Sequence, residues 1–139
     1  MNNFCVFCKI IQKEIPANIV YETEQIISFL DILPINKGHL LIIPKRHSIR
    51  IRELTLEESG EIFKAARKII PSMEKILKIE GTNFHLSDGK IAGQEIEHVH
   101  LHLIPRYPQD GQALGFTRSS EKFTQTDLKA IALDLKNAL

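Results

Sequence analysis

The sequence predicts an α+β chain: an antiparallel sheet of about five strands with one long helix and a C-terminal helix. Three observations predict it. The segment "HLLIIP" at 39–44 is a nearly continuous apolar run closed by proline, "HVHLHLIP" at 98–105 alternates strictly with period two, and from Thr55 the apolar residues recur every three or four.

The elements follow in order. "KIIQKEIP" mixes apolar and charged residues at near-helical spacing and stops at Pro16, which leaves one or two helical turns. "NIVYE" and "IISFLD" carry β-branched and aromatic residues around the polar "ETEQ" and read as a hairpin. "ILPINKG" is a loop, and "HLLIIP" then reads as a strand buried on both faces, completing an antiparallel meander. "TLEE" from Thr55 is a capping box that opens a long helix with the stripe Ile62, Ala66, Ile69, Ile70, Met73, Ile76 and Leu77. Pro71 predicts a kink or local break, since proline in a straight helix costs roughly 3 kcal/mol, and Gly81 predicts the stop. "TNFHLS" reads as a strand, "DGKIAG" as a turn-rich loop and "HVHLHLIP" as a strand. "RYPQDGQALGFTRSSEKF" reads as irregular, and a last amphipathic helix starts near Thr126 with Leu128, Ile131 and Leu135 on its apolar face.

A length of 139 residues predicts a single domain, 1–139. The hydrophobic fraction of 43%, the charged fraction of 25% and the net charge of +1 give no global attraction to nucleic acid or to an anionic membrane. No apolar run reaches the roughly 18–20 residues that span a bilayer, and "MNNFCVFCKI" does not read as a signal segment. A cytoplasmic protein without nucleic-acid or membrane partners is expected. The basic stretch "PKRHSIRIRE", with Lys45, Arg46, Arg50 and Arg52, reads as a solvated rim.

Cys5 and Cys8, the only two cysteines, form a C-x-x-C. In a reducing compartment this spacing suits half of a zinc site, two small buried thiols, or, less well, a redox pair, for which the usual preceding strand is missing. A zinc site would need two further ligands.

His98, His100 and His102 share one face of their predicted strand, and Val99, Leu101 and Leu103 share the other. Packing alone explains a lone histidine but not three in register. A single three-histidine metal site is disfavoured, because the first and third lie about 13 Å apart along a strand. The better reading gives one imidazole the role of nucleophile or general base while its neighbours hold an anionic substrate. Just upstream, "SDGKIAGQE" supplies Ser87, Gly93, Gln94 and Glu95, a segment suited to turning backbone amides toward a phosphate. His39, which opens "HLLIIP", adds a fourth imidazole if the two strands are neighbours.

With "CVFCKIIQKEIPANIVYETEQIISFLDILPINKGHLLIIPKRH" and "AGQEIEHVHLHLIPR" on the page, the chain resembles the histidine triad (HIT) superfamily of nucleotide hydrolases and transferases, its Hint-like branch in particular. The resemblance spans nearly the whole chain. It implies a compact α+β fold with an antiparallel sheet, a homodimer in which two such sheets join, and cleavage at the α-phosphorus of a nucleotide by a covalent two-step route that needs no cofactor. His100 matches the nucleophile. His102 and His39 match residues that contact the phosphate and assist the leaving group, and the backbone carbonyl of His98 matches the group that orients the nucleophile.

The same resemblance implies a structural zinc on Cys5, Cys8, His47 and His98, as in some bacterial members. It implies that Asp31 accepts from the ribose hydroxyls, and that Phe7, Ile10, Phe29, Leu30 and Ile32 wall the base, with Ile96 beside the loop. The implied ligand is a purine nucleotide such as AMP, a phosphoramidate or an adenylate. Ser87 stands where the Hint branch typically has asparagine. Glu95 stands where many members have a serine or threonine donor, so its carboxylate is expected to turn away from the phosphate and leave only its amide. The expected activity is that of a purine nucleoside phosphoramidase. The alternatives are a weakly catalytic or non-catalytic nucleotide-binding module and a dinucleoside polyphosphate hydrolase.

Overall fold

The computed structural model describes residues 4–113 and scattered positions between 124 and 137. The five predicted strand segments all form strands: β1 (Ile19–Glu22), β2 (Ile26–Leu30), β3 (Leu40–Pro44), β4 (Gly81–His85) and β5 (Leu101–Arg106). They make one antiparallel sheet in the order β1-β2-β3-β5-β4. The β1–β2 hairpin turns at Thr23, whose hydroxyl oxygen accepts from the amides of Gln25 and Ile26 at 3.3 and 3.0 Å. Because β5 inserts between β3 and β4, His102 is flanked in register by Leu41 on one side and His85 on the other.

Alternation along the strands builds two cores. On one face Ile26, Leu40, Ile42, Leu101 and Leu103 meet Ile62, Ala65, Ala66, Ile69 and Met73 of helix α2 (Leu56–Leu77). On the other, Ile27, Phe29, Leu41 and Ile43 meet Phe7, Cys8 and Ile10 of the short helix α1 (Val6–Ile11). Each fully buried aliphatic side chain contributes roughly 1.5–3 kcal/mol, so six-residue α1, too short to persist alone, is held by the sheet face that carries His102.

The capping box at Thr55 forms as expected: the Glu58 amide donates to the Thr55 hydroxyl oxygen at 3.1 Å, and the Thr55 amide donates to the Glu58 carboxylate at 2.8 Å. Four expectations are corrected: the local break at Pro71, the stop at Gly81, the burial of Ile76 and the start of the last strand at His98. Helix α2 runs unbroken through Pro71. Pro71 and Arg67, four residues before it, are both exposed, so water can take the freed carbonyl, while Ile69 and Met73 anchor the helix on either side of the proline. The stop is at Lys78, left-handed with φ 57°, and Gly81 instead opens β4; Ile76, expected in the buried stripe, is 70% exposed. Finally, β5 begins only at Leu101. The amides of His98 and Val99 are drawn to Ile96 and Ser48 carbonyls at 2.8 and 2.7 Å, which bends this stretch off the sheet ladder. The predicted C-terminal helix, with Leu128, Ile131 and Leu135, lies outside the described residues.

Candidate active site and metal centre

His39, His100 and His102 gather on the α1 side of the sheet, with His100 and His102 ring centroids 5.0 Å apart. Their protons are set by their partners. A carbonyl can only accept, so the 2.7 Å contact from His100 Nδ1 to the His98 oxygen places the proton on Nδ1 and leaves Nε2 with its lone pair. The Ile35 amide donates to His39 Nδ1 at 3.1 Å, so His39 Nε2–H donates to His102 Nδ1 at 2.9 Å. His102 then carries its own proton on Nε2.

For His39 and His102 this assignment requires neutral rings, and their burial supplies them. Burial pushes His39 below its ordinary value despite the attraction of Asp31. Burial pulls His102 down to about 4, helped by repulsion from His100 and His39. Asp31 Oδ2 stands 3.7 Å from His39 Nε2 and 3.9 Å from His102 Nδ1, while its Oδ1 accepts from the Leu33 amide at 2.8 Å. These three residues do not suit a metal ion, since the Ile35 amide occupies the Nδ1 lone pair of His39 and its Nε2 carries the proton donated to His102.

Cys5, Cys8, His47 and His98 form a second cluster, their ligand atoms all within 4.8 Å of one another. Cys5 caps α1, His47 follows β3 and His98 precedes β5, so the cluster joins three separate segments. Its chemistry fits a metal. His98 Nε2–H donates to the Pro44 carbonyl at 2.8 Å, which leaves its Nδ1 lone pair facing the sulfurs of Cys5 and Cys8 at 3.5 and 3.8 Å. His47 Nδ1 lies 3.3 Å from the Cys8 sulfur. Burial raises the Cys5 thiol above its ordinary value, an effect that a bound cation would reverse.

The residues expected to wall a nucleoside divide. Phe7, Ile10 and Phe29 are core: Phe7 sits edge-on to Phe29 at 5.6 Å and to His100 at 5.4 Å. Leu30 and Ile32 are 37% and 88% exposed at the end of β2, and Ile96 packs half-buried against the α1 core. In the Gly-containing loop, the Gln94 side chain is consumed internally. Its oxygen accepts from the Gly89 amide at 2.7 Å, and its nitrogen donates to the Ile49 and Ile96 carbonyls at 2.8 and 3.1 Å. Gln94 therefore shapes the loop through its side chain. Gly93 takes φ +91°, a left-handed turn that lets the loop double back, and Glu95 is exposed.

The HIT domain model matches residues 12–109. The chain belongs to the HIT family. This HIT chain is similar to a crystal structure of a HIT family protein from Bacillus anthracis, with a TM-score of 0.90, 37% identity and coverage of 100% of this chain and 99% of that one. It is 34% identical over 135 residues to the adenosine 5′-monophosphoramidase of Schizosaccharomyces pombe, covering 97% of this chain and 98% of the relative. A zinc-bound histidine triad family protein from Mycobacterium smegmatis superposes with a TM-score of 0.75 at 32% identity, covering 98% of each chain.

Two features of this HIT protein escape a reading of its sequence. His85 lies beside the histidine cluster, its ring centroid 5.8 Å from that of His102, with Nε2 3.1 Å from the Ser87 hydroxyl oxygen. The available signal was its spacing of two from Ser87 in the predicted strand "TNFHLS", of which the structure forms a strand only as far as His85. The basic stretch is also more than a solvated rim: Lys45 pairs with Glu22 at 2.7 Å, Arg46 with Glu58 at 2.6 Å and Arg50 with Asp88 at 3.1 Å. Among the described residues, no helix of this HIT protein is long and apolar enough to cross a membrane.

Proposed function

We propose that this HIT chain is a nucleotide hydrolase or transferase that cleaves a purine nucleoside phosphoramidate, or a related nucleotide, at the α-phosphorus through a nucleotidyl-His100 intermediate. The observation that carries the reading is the 2.7 Å bond from His100 Nδ1 to the His98 carbonyl, which fixes the ring and leaves Nε2 as the nitrogen that can act as the nucleophile. In the first step Nε2 bonds to phosphorus while the P–N bond to the leaving group breaks. The departing nitrogen keeps the electron pair and takes a proton from His102 Nε2. In the second step a water oxygen replaces His100 Nε2 on phosphorus and the proton that water loses returns to His102 Nε2, releasing the nucleoside monophosphate and restoring both imidazoles.

His39 acts through His102, since its donated hydrogen bond at 2.9 Å holds the His102 proton on the outward nitrogen. Asp31, beside that pair at the end of β2, is assigned the ribose hydroxyls, with Leu30 and Ile32 against the base and loop amides from Gly93 to Ile96 near the phosphate. Cys5, Cys8, His47 and His98 would hold a zinc ion, as a closed Cys2His2 set does, and its chemistry is structural: it fixes His98, and so the carbonyl that orients His100. A homodimer through the β4 edge is supported by the stacked and exposed pair Phe63 and Phe84, 58% and 45% accessible, with ring centroids 6.0 Å apart.

The test is a substrate panel of adenosine phosphoramidates, acyl adenylates and dinucleoside polyphosphates. Preferred turnover of the phosphoramidates is expected. Tight nucleotide binding without turnover of any substrate would instead support a binding module, and preference for dinucleoside polyphosphates would reassign the leaving group.

A further inference from the structure

His85 pairs in register with His102, so both side chains leave the same face of the sheet, and their ring centroids are 5.8 Å apart. The His85 ring is anchored to Ser87 by the 3.1 Å contact from Nε2 to the hydroxyl oxygen. A Cβ on Gly93 would lie 3.7 Å from that hydroxyl, so Ser87 sits where β4 meets the Gly-containing loop. Strand order gives the pair its meaning. Asp31 follows β2, His39 directly precedes β3, His102 lies on β5 and His85 ends β4, in the sheet order β2-β3-β5-β4. A substrate laid across these strands with its ribose at Asp31 and its phosphorus at His100 extends its leaving group toward His85 and Ser87.

We propose that His85 and Ser87 form a leaving-group specificity element, in which His85 holds the Ser87 hydroxyl so that it donates to a carboxylate oxygen of an amino-acid leaving group bound to phosphorus through its nitrogen. The proposal rests on the phosphorus chemistry assigned above. When His85 Nε2–H donates to Ser87 Oγ, the hydroxyl hydrogen is free for the substrate. A serine side chain is short and its hydroxyl rotates, so the imidazole supplies the second anchor that fixes its direction. During the first step the P–N bond breaks, the nitrogen leaves with the electron pair and the His102 proton, and Ser87 holds an oxygen carried by that leaving group. Ser87 touches the substrate, and His85 is a positioning residue acting through it.

The two chemical steps separate this role from a structural one. Hydrolysis of the nucleotidyl-enzyme takes place after the leaving group has gone, so a contact to the leaving group cannot affect it. Rapid-quench kinetics on the full chain would compare adenosine 5′-phosphoramidate, whose leaving group is ammonia, with the adenosine amidate of glycine. In Ser87→Ala and His85→Leu, formation of the nucleotidyl-enzyme from the glycine amidate is expected to slow about tenfold, the worth of one hydrogen bond. Formation from the simple phosphoramidate is expected to slow several-fold less than formation from the glycine amidate, and hydrolysis of the intermediate to stay within about twofold of wild type. His85→Gln, which keeps a donor for Ser87, is expected to recover most of the discrimination.

Equal losses on both substrates, slowed hydrolysis of the intermediate, or no loss on the glycine amidate would overturn the specificity element while leaving the phosphorus chemistry intact. Failure of the wild-type protein to form a nucleotidyl-enzyme from either substrate would overturn the functional reading, and this inference with it.

Discussion

His98 and His100 are coupled through the backbone: the carbonyl of His98 accepts from His100 Nδ1 at 2.7 Å, while the ring of the same His98 turns to the sulfurs of Cys5 and Cys8. The residue that orients the proposed nucleophile is thus a member of the metal cluster.

The first prediction follows from that coupling. Purified protein is expected to contain about one zinc per chain, and Cys8→Ser or a chelator to remove it. Loss of a metal present roughly 1,000-fold above its Kd costs about 4 kcal/mol of stability. It should also reduce kcat by about 10- to 100-fold through a misplaced His100, without abolishing the intermediate. Metal analysis with thermal melting checks this; an unchanged melting temperature in Cys8→Ser would contradict it.

Acid should destabilise the fold in two stages. His102 is buried with its pKa lowered from 6.5 to about 4, chiefly by desolvation. Between those values the unfolded chain binds more protons, so stability rises with pH there, is complete above about 6.5 and is lost toward about 4. Glu58, held down to about 2 chiefly by its hydrogen bond to Arg46, contributes stability above about 4.5 that is lost toward about 2. Urea unfolding from about pH 7 to about pH 4 should show the midpoint falling, and His102→Gln should remove part of that fall. A flat profile would refute the buried neutral assignment.

Gly38 sits directly before His39 with φ +90°, and a Cβ there would stand 2.4 Å from Leu77 Cδ1. Gly38→Ala is therefore expected to cost about 1–3 kcal/mol in backbone strain and displaced packing. Equilibrium unfolding reads this, and a change under about 0.5 kcal/mol would show that the loop adapts.

At the start of α2, Thr55→Ala is expected to cost about 1 kcal/mol. Glu58→Ala should cost more, because that carboxylate also receives Arg46 through two bonds at 2.7 and 2.6 Å. If Thr55→Ala proves the more damaging in denaturant titrations, the Arg46 fork has no net value.

Much of this architecture is legible from local pattern, because burial on a sheet and on a helix imposes periods of two and of about 3.6. The five strands, the α2 cap and the core positions Val99, Leu101 and Leu103 follow from it. What local pattern does not carry is pairing between distant segments. Nothing in "HVHLHLIP" tells that Ser48 captures the Val99 amide and delays β5 until Leu101. Pro71 reads as a breaker because propensity ignores the packing of Ile69 and Met73 around it. His85 is silent for the same reason, since its meaning depends on lying opposite His102.

The central claim is that His100 Nε2 attacks phosphorus, and the most direct measurement is to trap and map that bond. Wild-type protein, mixed with an adenosine phosphoramidate and quenched within the first turnover, should gain the mass of one adenylyl group on the peptide that carries His100. His100→Ala should show no adduct and lose turnover by a factor on the order of 10⁴ or more. An adduct on another residue, or full turnover by His100→Ala, would contradict the account.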